Sequence, residues 1–530
     1  MSNEQGGKGT GPAGESHGHA DDPAPRREIV EGRQGSGAYV RLRIPRVLRL
    51  RRVLGVPALF SSGYGNVGSS IYYALGVTTV YALGAAPLAL VLAGAFFVLT
   101  CLSYTEGTVA VPEAGGASSF ARRGFNEMVS FFTGWMTMLS YTVTISISAY
   151  SAVGYMAVFF PPLGSFPLIV IVTVIIIALL MGLNVIGVQE ATSVSVVFAI
   201  IDLATETVVV IVGFIFLLNI GLIFHQIHLG VAPSWRGFLY SISVAMVAYT
   251  GIETISNVSE EAKDPSRTVP RAYASLIFAV LILFIGISLV ALSAMPITCG
   301  PNGPQLAAVG ACPAGAAGAP TSELSTTYLV DPVAGIAGKL PSPYDAILKP
   351  MVAFLAASIL LIGANAGVLG VSRLSFSMGA HYQLPGVLYQ VNRRFRTPQT
   401  TILVFGVIAI LLVLSGDVTN LVSIYSFAAT ITFTMAHLGV IGIRIKDPDG
   451  DRPFQLPLNV TIKGRKIPLI SVVGGIGTFA IWVIIALNNR FGQVVGFSWM
   501  IVGLIFYVIY RRRLGLSLTK MVKRPPLETS

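Results

Sequence analysis

Apolar runs long enough to cross a lipid bilayer recur along most of this 530-residue chain. Only 11% of its residues are charged, whereas soluble domains carry about 25%. A helix needs roughly 20 apolar residues to cross the hydrocarbon core, and about twelve runs approach that length. Because a bilayer offers no partner to an open backbone, these runs predict an all-α polytopic membrane protein. The expected spans are 54–77, 83–110, 127–160, 166–186, 191–219, 235–258, 271–296, 343–379, 398–415, 418–443, 468–488 and 493–511.

The positive charge of the chain is distributed unevenly between alternate loops. The formal net charge is +11, which could also suit an anionic partner such as nucleic acid. With a cytoplasmic N-terminus, however, nearly every basic cluster falls on the cytoplasmic side, as the positive-inside rule requires. We therefore expect a plasma-membrane protein with both termini cytoplasmic, the lipid bilayer as its partner and no nucleic-acid partner. The cytoplasmic clusters lie within 41–52, 122–123, 263–271, 393–396, 444–466 and 511–513, against Arg236, Lys339, Lys349 and Arg490 on the other side.

The two ends of the chain differ from its apolar middle, the transmembrane domain 54–511. Residues 1–40 are rich in Gly, Ser, Pro and charge, which predicts a disordered cytoplasmic tail. The basic segment 41–53 is expected at the inner membrane surface. Residues 512–530 are expected to form a cytoplasmic C-terminal tail.

One long loop, 297–342, lies on the side opposite the basic clusters and contains two of the three cysteines. An oxidising compartment would permit a disulfide between Cys299 and Cys312. Two unpaired thiols are an equally good interpretation of the sequence. Cys101, in the second span, is expected to be a small buried side chain.

Two of the apolar runs are interrupted near their middle by glycine and small polar residues. An unwound backbone inside a bilayer must face protein or a wet cavity, so paired interruptions indicate a solute-binding site near the membrane midplane. They lie in the first and sixth spans. This spacing predicts an inverted repeat over 54–219 and 235–443, with two extra helices at 468–511.

Four short motifs accompany the expected spans in a fixed order. The motifs are Val67-Gly68-Ser69-Ser70-Ile71-Tyr72, Pro112-Glu113-Ala114-Gly115-Gly116, Tyr249-Thr250-Gly251-Ile252-Glu253 with its continuation to 272, and the segment from Ser372-Arg373 to Thr397-Pro398. With them the chain resembles the amino acid–polyamine–organocation superfamily of permeases. The resemblance implies a LeuT-type fold of five plus five helices, alternating access, and secondary transport of amino acids, polyamines or related organic cations.

The first-span interruption supplies half of a candidate substrate site. Amides freed where the helix unwinds would suit a carboxylate, because partial positive charge collects at a helix N-terminus. In the family that the chain resembles, such amides hold the substrate carboxylate, although Ser70 stands where many relatives have glycine. Tight helix packing is the alternative role of the glycines. The candidates are Gly65, Asn66, Gly68, Ser69 and Ser70.

The sixth-span interruption supplies the other half of the site. Carbonyl groups from Ala248 to Gly251 would face a substrate ammonium group. Tyr249 would close over that group as an aromatic lid, with some cation–π attraction. An ordinary packed tyrosine is the alternative for Tyr249.

Polar side chains inside the bilayer are the candidates for ion coupling, because unpaired charge there is expensive. Asp202 and Glu206 are one helical turn apart in the fifth span, and Glu253 follows the sixth-span interruption. We expect them to couple transport to H+ or Na+, with Asp202 first, while structural hydrogen bonds are the alternative for the two glutamates. In the eighth span, Ser358 and Asn365 would add oxygen ligands for a cation unless they only join helices.

The remaining motifs exclude several classes of protein. No zinc spacing, phosphate loop or nucleophile–base pair is present, so we expect no enzyme activity, metal or cofactor. Tyr141, Tyr150 and Tyr425 are further candidates for a cavity wall. The leading hypothesis is a secondary transporter of amino acids or related amines, coupled to H+ or Na+ or working as an exchanger. A carrier of polyamines or of an inorganic cation such as potassium, and a sensor or channel of the same fold, are the alternatives.

Overall fold

The computed structural model describes most of the chain from Arg52 to Arg524 as part of one compact unit. The predicted disordered tail 1–40, most of the basic segment 41–53 and the end of the C-terminal tail lie outside the described residues. The described residues are 52–187, 192–300, 303–309, 312, 319–392, 394–395, 397–450 and 452–524.

Nine helical stretches in the described part are long and apolar enough to cross a membrane. One of them, Val56–Ala110, contains two spans because the chain turns at Leu83, and Glu127–Met156 and Gln399–Val413 add two more. The expected all-α polytopic fold is therefore confirmed. In order, the spans are Val56–Val67 continuing through Gly68–Ser70 to Ile71–Ala82, then Ala86–Ala110, Glu127–Met156, Leu168–Ile186, Thr192–Phe216, Trp235–Ala245 continuing through Met246–Tyr249 to Glu253–Asn257, then Pro265–Ala294, Tyr344–Ala380, Gln399–Val413, Val418–Lys446, Leu469–Asn488 and Arg490–Arg513.

The third span crosses the bundle although it carries many hydroxyl side chains. Its helix begins at a cap in which the side chain of Asn126 accepts from the amide of Val129 at 3.1 Å. Further along, Thr137 and Thr142 donate their hydroxyls to carbonyls one turn earlier, at 2.8 and 2.7 Å. These two hydroxyls are thereby satisfied within their own helix, which helps a helix with many polar side chains to be buried in an apolar bundle.

Short elements connect the spans. The strands Asn459–Ile462 and Arg465–Pro468 pair antiparallel through a two-residue turn in which both residues have positive φ, the turn that matches strand twist. The strands Thr298–Cys299 and Pro320–Thr321 also pair antiparallel. Short helices are Ala117–Gly124, Ile220–His225, Leu306–Val309, Pro332–Ala337 and Gly386–Tyr389, and further 3-10 turns are Leu83–Ala85, Pro161–Gly164, Ser259–Glu261 and Glu323–Ser325.

The cap, as we name residues 297–342, contains a disulfide. Cys299 and Cys312 are bonded, with their Cα atoms 5.4 Å apart. The question that the sequence left open is thus answered in favour of the bridge. Cys101 is free and buried, as expected.

The cap is packed closely into the bundle. A Cβ on Gly76 of the first span would lie 2.4 Å from the carbonyl oxygen of Leu329, and one on Gly154 of the third span would lie 2.7 Å from the side chain of Val330. The helix Pro332–Ala337 is buried throughout. Glycines in two spans therefore let the cap pack directly against those helices.

The end of the bundle opposite the cap, together with the 447–468 loop and residues 514–524, is named the basic face. It contains a buried ion pair. Arg444 of the tenth span donates from Nε and Nη2 to the two carboxylate oxygens of Glu106 in the second span, at 2.6 and 2.5 Å. The amide of Leu456 donates to the same carboxylate at 2.8 Å. This pair joins two spans and the 447–468 loop.

The C-terminal segment 514–524 returns along the basic face and binds to the bundle. The amide of Arg524 donates to the carbonyl of Ala380, the last residue of the eighth span, at 2.7 Å. Its guanidinium group donates to the hydroxyl of Tyr510 at 2.6 Å and lies over the ring of Tyr382. The described part of the predicted tail is therefore ordered against the spans.

Candidate functional site

A break in the sixth span is the central feature of the candidate site. The helix tightens to a 3-10 turn at Met246–Tyr249, becomes extended at Thr250 (φ −82°, ψ 157°) and resumes as Glu253–Asn257. Gly251 has φ +103°, which residues with a Cβ rarely adopt. A Cβ at that position would also lie 2.7 Å from Cγ of Asn66 in the first span. The predicted interruption of the sixth span is confirmed.

The first span does not unwind as expected. Gly68–Ser70 form a single 3-10 turn, and Gly68 keeps helical angles (φ −58°, ψ −42°) with its amide bonded one turn back. The hydroxyls of Ser69 and Ser70 donate to the carbonyl of Asn66 at 2.9 and 3.3 Å. The expected row of freed amides was wrong for this structure, because the helix only tightens and its hydroxyls satisfy the carbonyl at the turn.

Several buried polar atoms around the break have no hydrogen-bond partner among the described residues. Asn66 donates from Nδ2 to the hydroxyl of Thr254 at 2.9 Å, but its Oδ1 is unpaired. Glu253, 3% exposed, has an unpaired Oε2, and the hydroxyl of Tyr104 in the second span, close to Glu253, is unpaired too. Buried polar atoms are nearly always satisfied, so unpaired ones at a helix break indicate a place for a ligand.

The eighth span approaches the tightened turn of the first span at a glycine that the sequence reasoning missed. A Cβ on Gly363 would lie 3.0 Å from the hydroxyl of Ser69 and 3.5 Å from that of Ser148 in the third span, which is unpaired. The hydroxyl of Ser70 bonds that of Tyr73 at 2.9 Å. Small residues at helical spacing in the eighth span were the available signal for this contact.

Two candidates in the eighth span do not face the first span. The hydroxyl of Ser358 donates to the carbonyl of Phe354 in its own helix at 2.8 Å. The side-chain oxygen of Asn365 accepts from Nδ2 of Asn184 in the fourth span at 2.6 Å. The expectation that both residues offer ligands beside the first span was therefore wrong for this structure. Asn365 joins two helices, the role given as the alternative, whereas Ser358 bonds only within its own helix.

Tyr249 packs away from the break. Its hydroxyl donates to the carbonyl of Leu90 in the second span at 2.8 Å. Its ring lies 4.9 Å from that of Phe97 and 5.4 Å from that of Phe284, measured between centroids. The structure thus matches the packed tyrosine and not the aromatic lid, while Ala248 remains buried in the 3-10 turn before the break.

The other three tyrosine candidates hold helices together. Tyr141 accepts a hydrogen bond from Asn257 at the end of the sixth span, and Tyr425 accepts one from Thr144 at 2.8 Å. Tyr150 donates at 3.1 Å to the loop between the ninth and tenth spans. Tyr141 and Tyr425 thereby support the walls of the site, and Tyr150 lies away from it.

The two carboxylates of the fifth span are bonded to two tyrosines of the first span. Tyr72 donates to Oδ1 of Asp202 at 2.6 Å, and Tyr64 donates to Oε2 of Glu206 at 2.7 Å. Both carboxylates are 1% exposed, and the second oxygen of each has no hydrogen-bond partner among the described residues. The sequence reasoning named the acids but not the tyrosines. The eight-residue spacing of the tyrosines carried no evident signal.

Known proteins support a transport role for this architecture. The chain matches the family described as amino acid permease over residues 54–510. It is 26% identical to a methylthioribose transporter of Bacillus subtilis, covering 88% of this chain and 95% of the relative. It is 22% identical to a branched-chain amino acid permease of the same organism, covering 88% and 94%. It is 24% identical to a low-affinity putrescine importer of Escherichia coli, covering 82% and 88%.

The family match covers most of the chain, and the relatives align over nearly their full lengths. The expected membership of the amino acid–polyamine–organocation superfamily is confirmed. The chain therefore belongs to the amino acid permease family, which consists of membrane transporters and not of enzymes.

Proposed function

We propose that this protein is a secondary active transporter of amino acids or related amines that works by alternating access. One observation carries the proposal. Asn66, whose side chain lies against Gly251 at the break, and Glu253, two residues after Gly251, each have an unpaired acceptor atom. A protonated amine is the donor that such acceptors would bind.

The opposite end of an amino acid would meet the hydroxyl groups near the tightened turn of the first span. Ser69, Ser70 and Ser148 are buried there, and the hydroxyl of Ser148 has no partner among the described residues. A hydroxyl has a single hydrogen to donate, and those of Ser69 and Ser70 go to the carbonyl of Asn66, so the hydroxyl of Ser148 is the donor available to a carboxylate. This arrangement replaces the freed amides that the sequence suggested, and it supports a substrate with an ammonium end and a polar or anionic end.

The surroundings of the site support an occluded state in an alternating-access cycle. Asn66, Gly251 and Glu253 are all buried, so a substrate would reach them only after helices move. We propose that the first ten spans form the five-plus-five repeat. We also place both termini in the cytoplasm of a plasma-membrane protein, on the strength of the basic loops.

A polyamine or inorganic cation carrier is the second candidate. The buried acids Asp202, Glu206 and Glu253, and the putrescine importer among the relatives, favour it. A cation-only carrier would bind diamines or potassium and ignore amino acids. A sensor of the same fold would bind its ligand without moving it.

A ligand screen followed by counterflow tests the proposal. Purified protein is heated with single amino acids, amines and potassium, since a ligand stabilises the fold that it binds. Hits are then assayed by counterflow in liposomes. We expect Asn66→Ala to lose the ligand-induced shift. The matched control Ser62→Ala, in which a hydroxyl that bonds only within its own helix is removed, should keep it. Stabilisation without counterflow would contradict transport, and stabilisation by cations alone would favour the second candidate.

A further inference from the structure

Two acids of the fifth span and two tyrosines of the first span form a cluster of four side chains. The break in the sixth span does not depend on this cluster. Tyr64 and Tyr72 are eight residues apart, about 12 Å along a helix, whereas Asp202 and Glu206 are four residues apart, about 6 Å. Because each phenol bonds one carboxylate, the two phenols must lean toward each other between the helices. We name these four residues the tyrosine–acid cluster.

We propose that the tyrosine–acid cluster binds and releases a single proton, and that this proton, not Na+, drives transport. The inference rests on the proposed transport function and names its coupling ion. Asp202 and Glu206 hold the proton. Tyr64 and Tyr72 are positioning residues that donate to whichever carboxylate is charged.

The charge balance of the cluster requires a proton. No described Lys, Arg or His forms an ion pair with Asp202 or Glu206, since the ion pairs of the described residues lie elsewhere. Two unpaired buried anions one turn apart would repel each other in a medium of low dielectric constant. One proton leaves a single negative charge, which two phenol donors can stabilise. The oxygens Oδ2 and Oε1, both unpaired, are the sites available to it.

The titratable groups around the cluster come from several helices. The first span supplies Tyr64 and Tyr72, and the ring of Tyr155 in the third span lies 5.3 Å from that of Tyr72. The seventh and eighth spans also pack against the fifth. Their charged residues lie near the helix ends, so no described cation faces the acids. These charged residues are Arg267, Arg271, Asp345, Lys349 and Arg373. Tyr273 of the seventh span bonds the carbonyl of Ile252, the residue after Gly251.

Sodium lacks its ligands at this position. A hard cation is held by a shell of several oxygen ligands. The eighth-span oxygens that would have completed such a shell, Ser358 and Asn365, bond within their own helix and to the fourth span. Both phenols also present donor hydrogens toward the acids. The described residues therefore assemble acceptors for a proton and not a shell for a metal cation.

The proton would be coupled to the substrate site through Tyr64. A Cβ on Gly68 would lie 2.8 Å from the ring of Tyr64, so this ring packs directly on the tightened turn Gly68–Ser70. A charged Glu206 holds the phenol by a charge-assisted hydrogen bond, and a protonated one holds it less strongly. Gain or loss of the proton thereby changes how firmly the fifth span is tied to the turn that carries the site hydroxyls.

Two measurements on the full-length protein in liposomes test the inference. Uptake of a substrate found by the screen is driven by an inward proton gradient without Na+, or by an inward Na+ gradient at equal pH. We expect only the proton gradient to drive uptake. Asp202→Asn and Glu206→Gln should each reduce it by roughly tenfold or more, a typical size for coupling between sites, while counterflow is retained. Thr207→Val, a lipid-facing change on the same helix, is the control.

The second measurement needs no substrate. The infrared carbonyl band of a protonated carboxylic acid, followed from acidic to alkaline buffer, should disappear or shift in Asp202→Asn and in Glu206→Gln. If Asp202→Asn does not fold, Tyr72→Phe keeps the ring and removes only the donor, and it should shift the pH profile of uptake. Uptake driven by Na+ alone, or a band that both acid variants leave unchanged, overturns the inference. Absent counterflow in the unaltered protein would refute transport, while the infrared result still decides the proton site.

Discussion

Loss of the negative charge from the buried ion pair on the basic face should destabilise the protein severely. Glu106 accepts hydrogen bonds from two nitrogens of Arg444 and from the amide of Leu456, at 2.5 to 2.8 Å. The two charged side chains are 2% and 3% exposed. Glu106→Gln keeps the shape of the side chain, but it turns an acceptor into a donor that faces the guanidinium group.

The magnitude follows from the burial of the charge that is left behind. Breaking a buried pair by removing one partner costs about 3–5 kcal/mol, because the other charge stays unpaired in a poor solvent. The cap contains a matched control. Lys339 and Glu323 lie 2.6 Å apart, yet their side chains are 35% and 51% exposed. An exposed pair of this kind contributes about 0–1 kcal/mol, so Glu323→Gln should be nearly neutral.

Equilibrium unfolding of the detergent-solubilised protein measures both variants under the same conditions. The double variant with Glu106→Gln and Arg444→Gln should be less destabilised than the sum of the single variants, because neither charge is then left unpaired. An unfolding free energy of Glu106→Gln that matches that of Glu323→Gln would refute the reasoning. So would strict additivity in the double variant.

Three further changes have expected outcomes. Gly251→Ala should lower the free energy of unfolding by about 1–3 kcal/mol through its positive φ and abolish ligand-induced stabilisation. Gly182→Ala, inside a helix with open space around its Cβ, should raise the free energy of unfolding by up to about 1 kcal/mol and leave ligand-induced stabilisation unchanged; equal melting temperatures of the two variants would contradict this. Cys299→Ser opens the bridge to Cys312 and should lower the free energy of unfolding by about 3 kcal/mol. The melting temperature should then no longer depend on reductant, and persistent sensitivity would contradict this. Burial raises the pKa of Asp331 in the cap to about 6. Because the folded state holds that proton more tightly than the unfolded chain does, the free energy of unfolding should fall as pH rises from about 4 through about 6. Asp331→Asn should remove this slope when the melting temperature is measured against pH. An unchanged slope would contradict this.

Local sequence properties were enough to predict the spans and one of the two interruptions. Hydropathy located the helices because a bilayer requires long apolar runs whatever their neighbours are. The break at Gly251 was also predictable, because glycine accepts positive φ and Thr250-Gly251 interrupts an apolar run. At Gly68–Ser70 the same composition led to the wrong conclusion, since small residues served a tight turn and a close helix contact there.

The candidate site was predictable in its acids and not in its partners. Asp202 and Glu206 were evident because carboxylates are rare in apolar runs. Their bonds to Tyr64 and Tyr72 were not evident, nor was the orientation of Asn365 away from the first span. Those contacts depend on which face of each helix meets which neighbour.

The physical reason lies in the surroundings of a membrane helix. In a soluble protein, the apolar face of a helix marks its buried side. Here lipid and protein interior are both apolar, so periodicity says little about orientation. Side-chain pairing across the bundle follows from helix rotation and from close approach at glycines such as Gly251 and Gly363. Both emerge only when all the spans pack together.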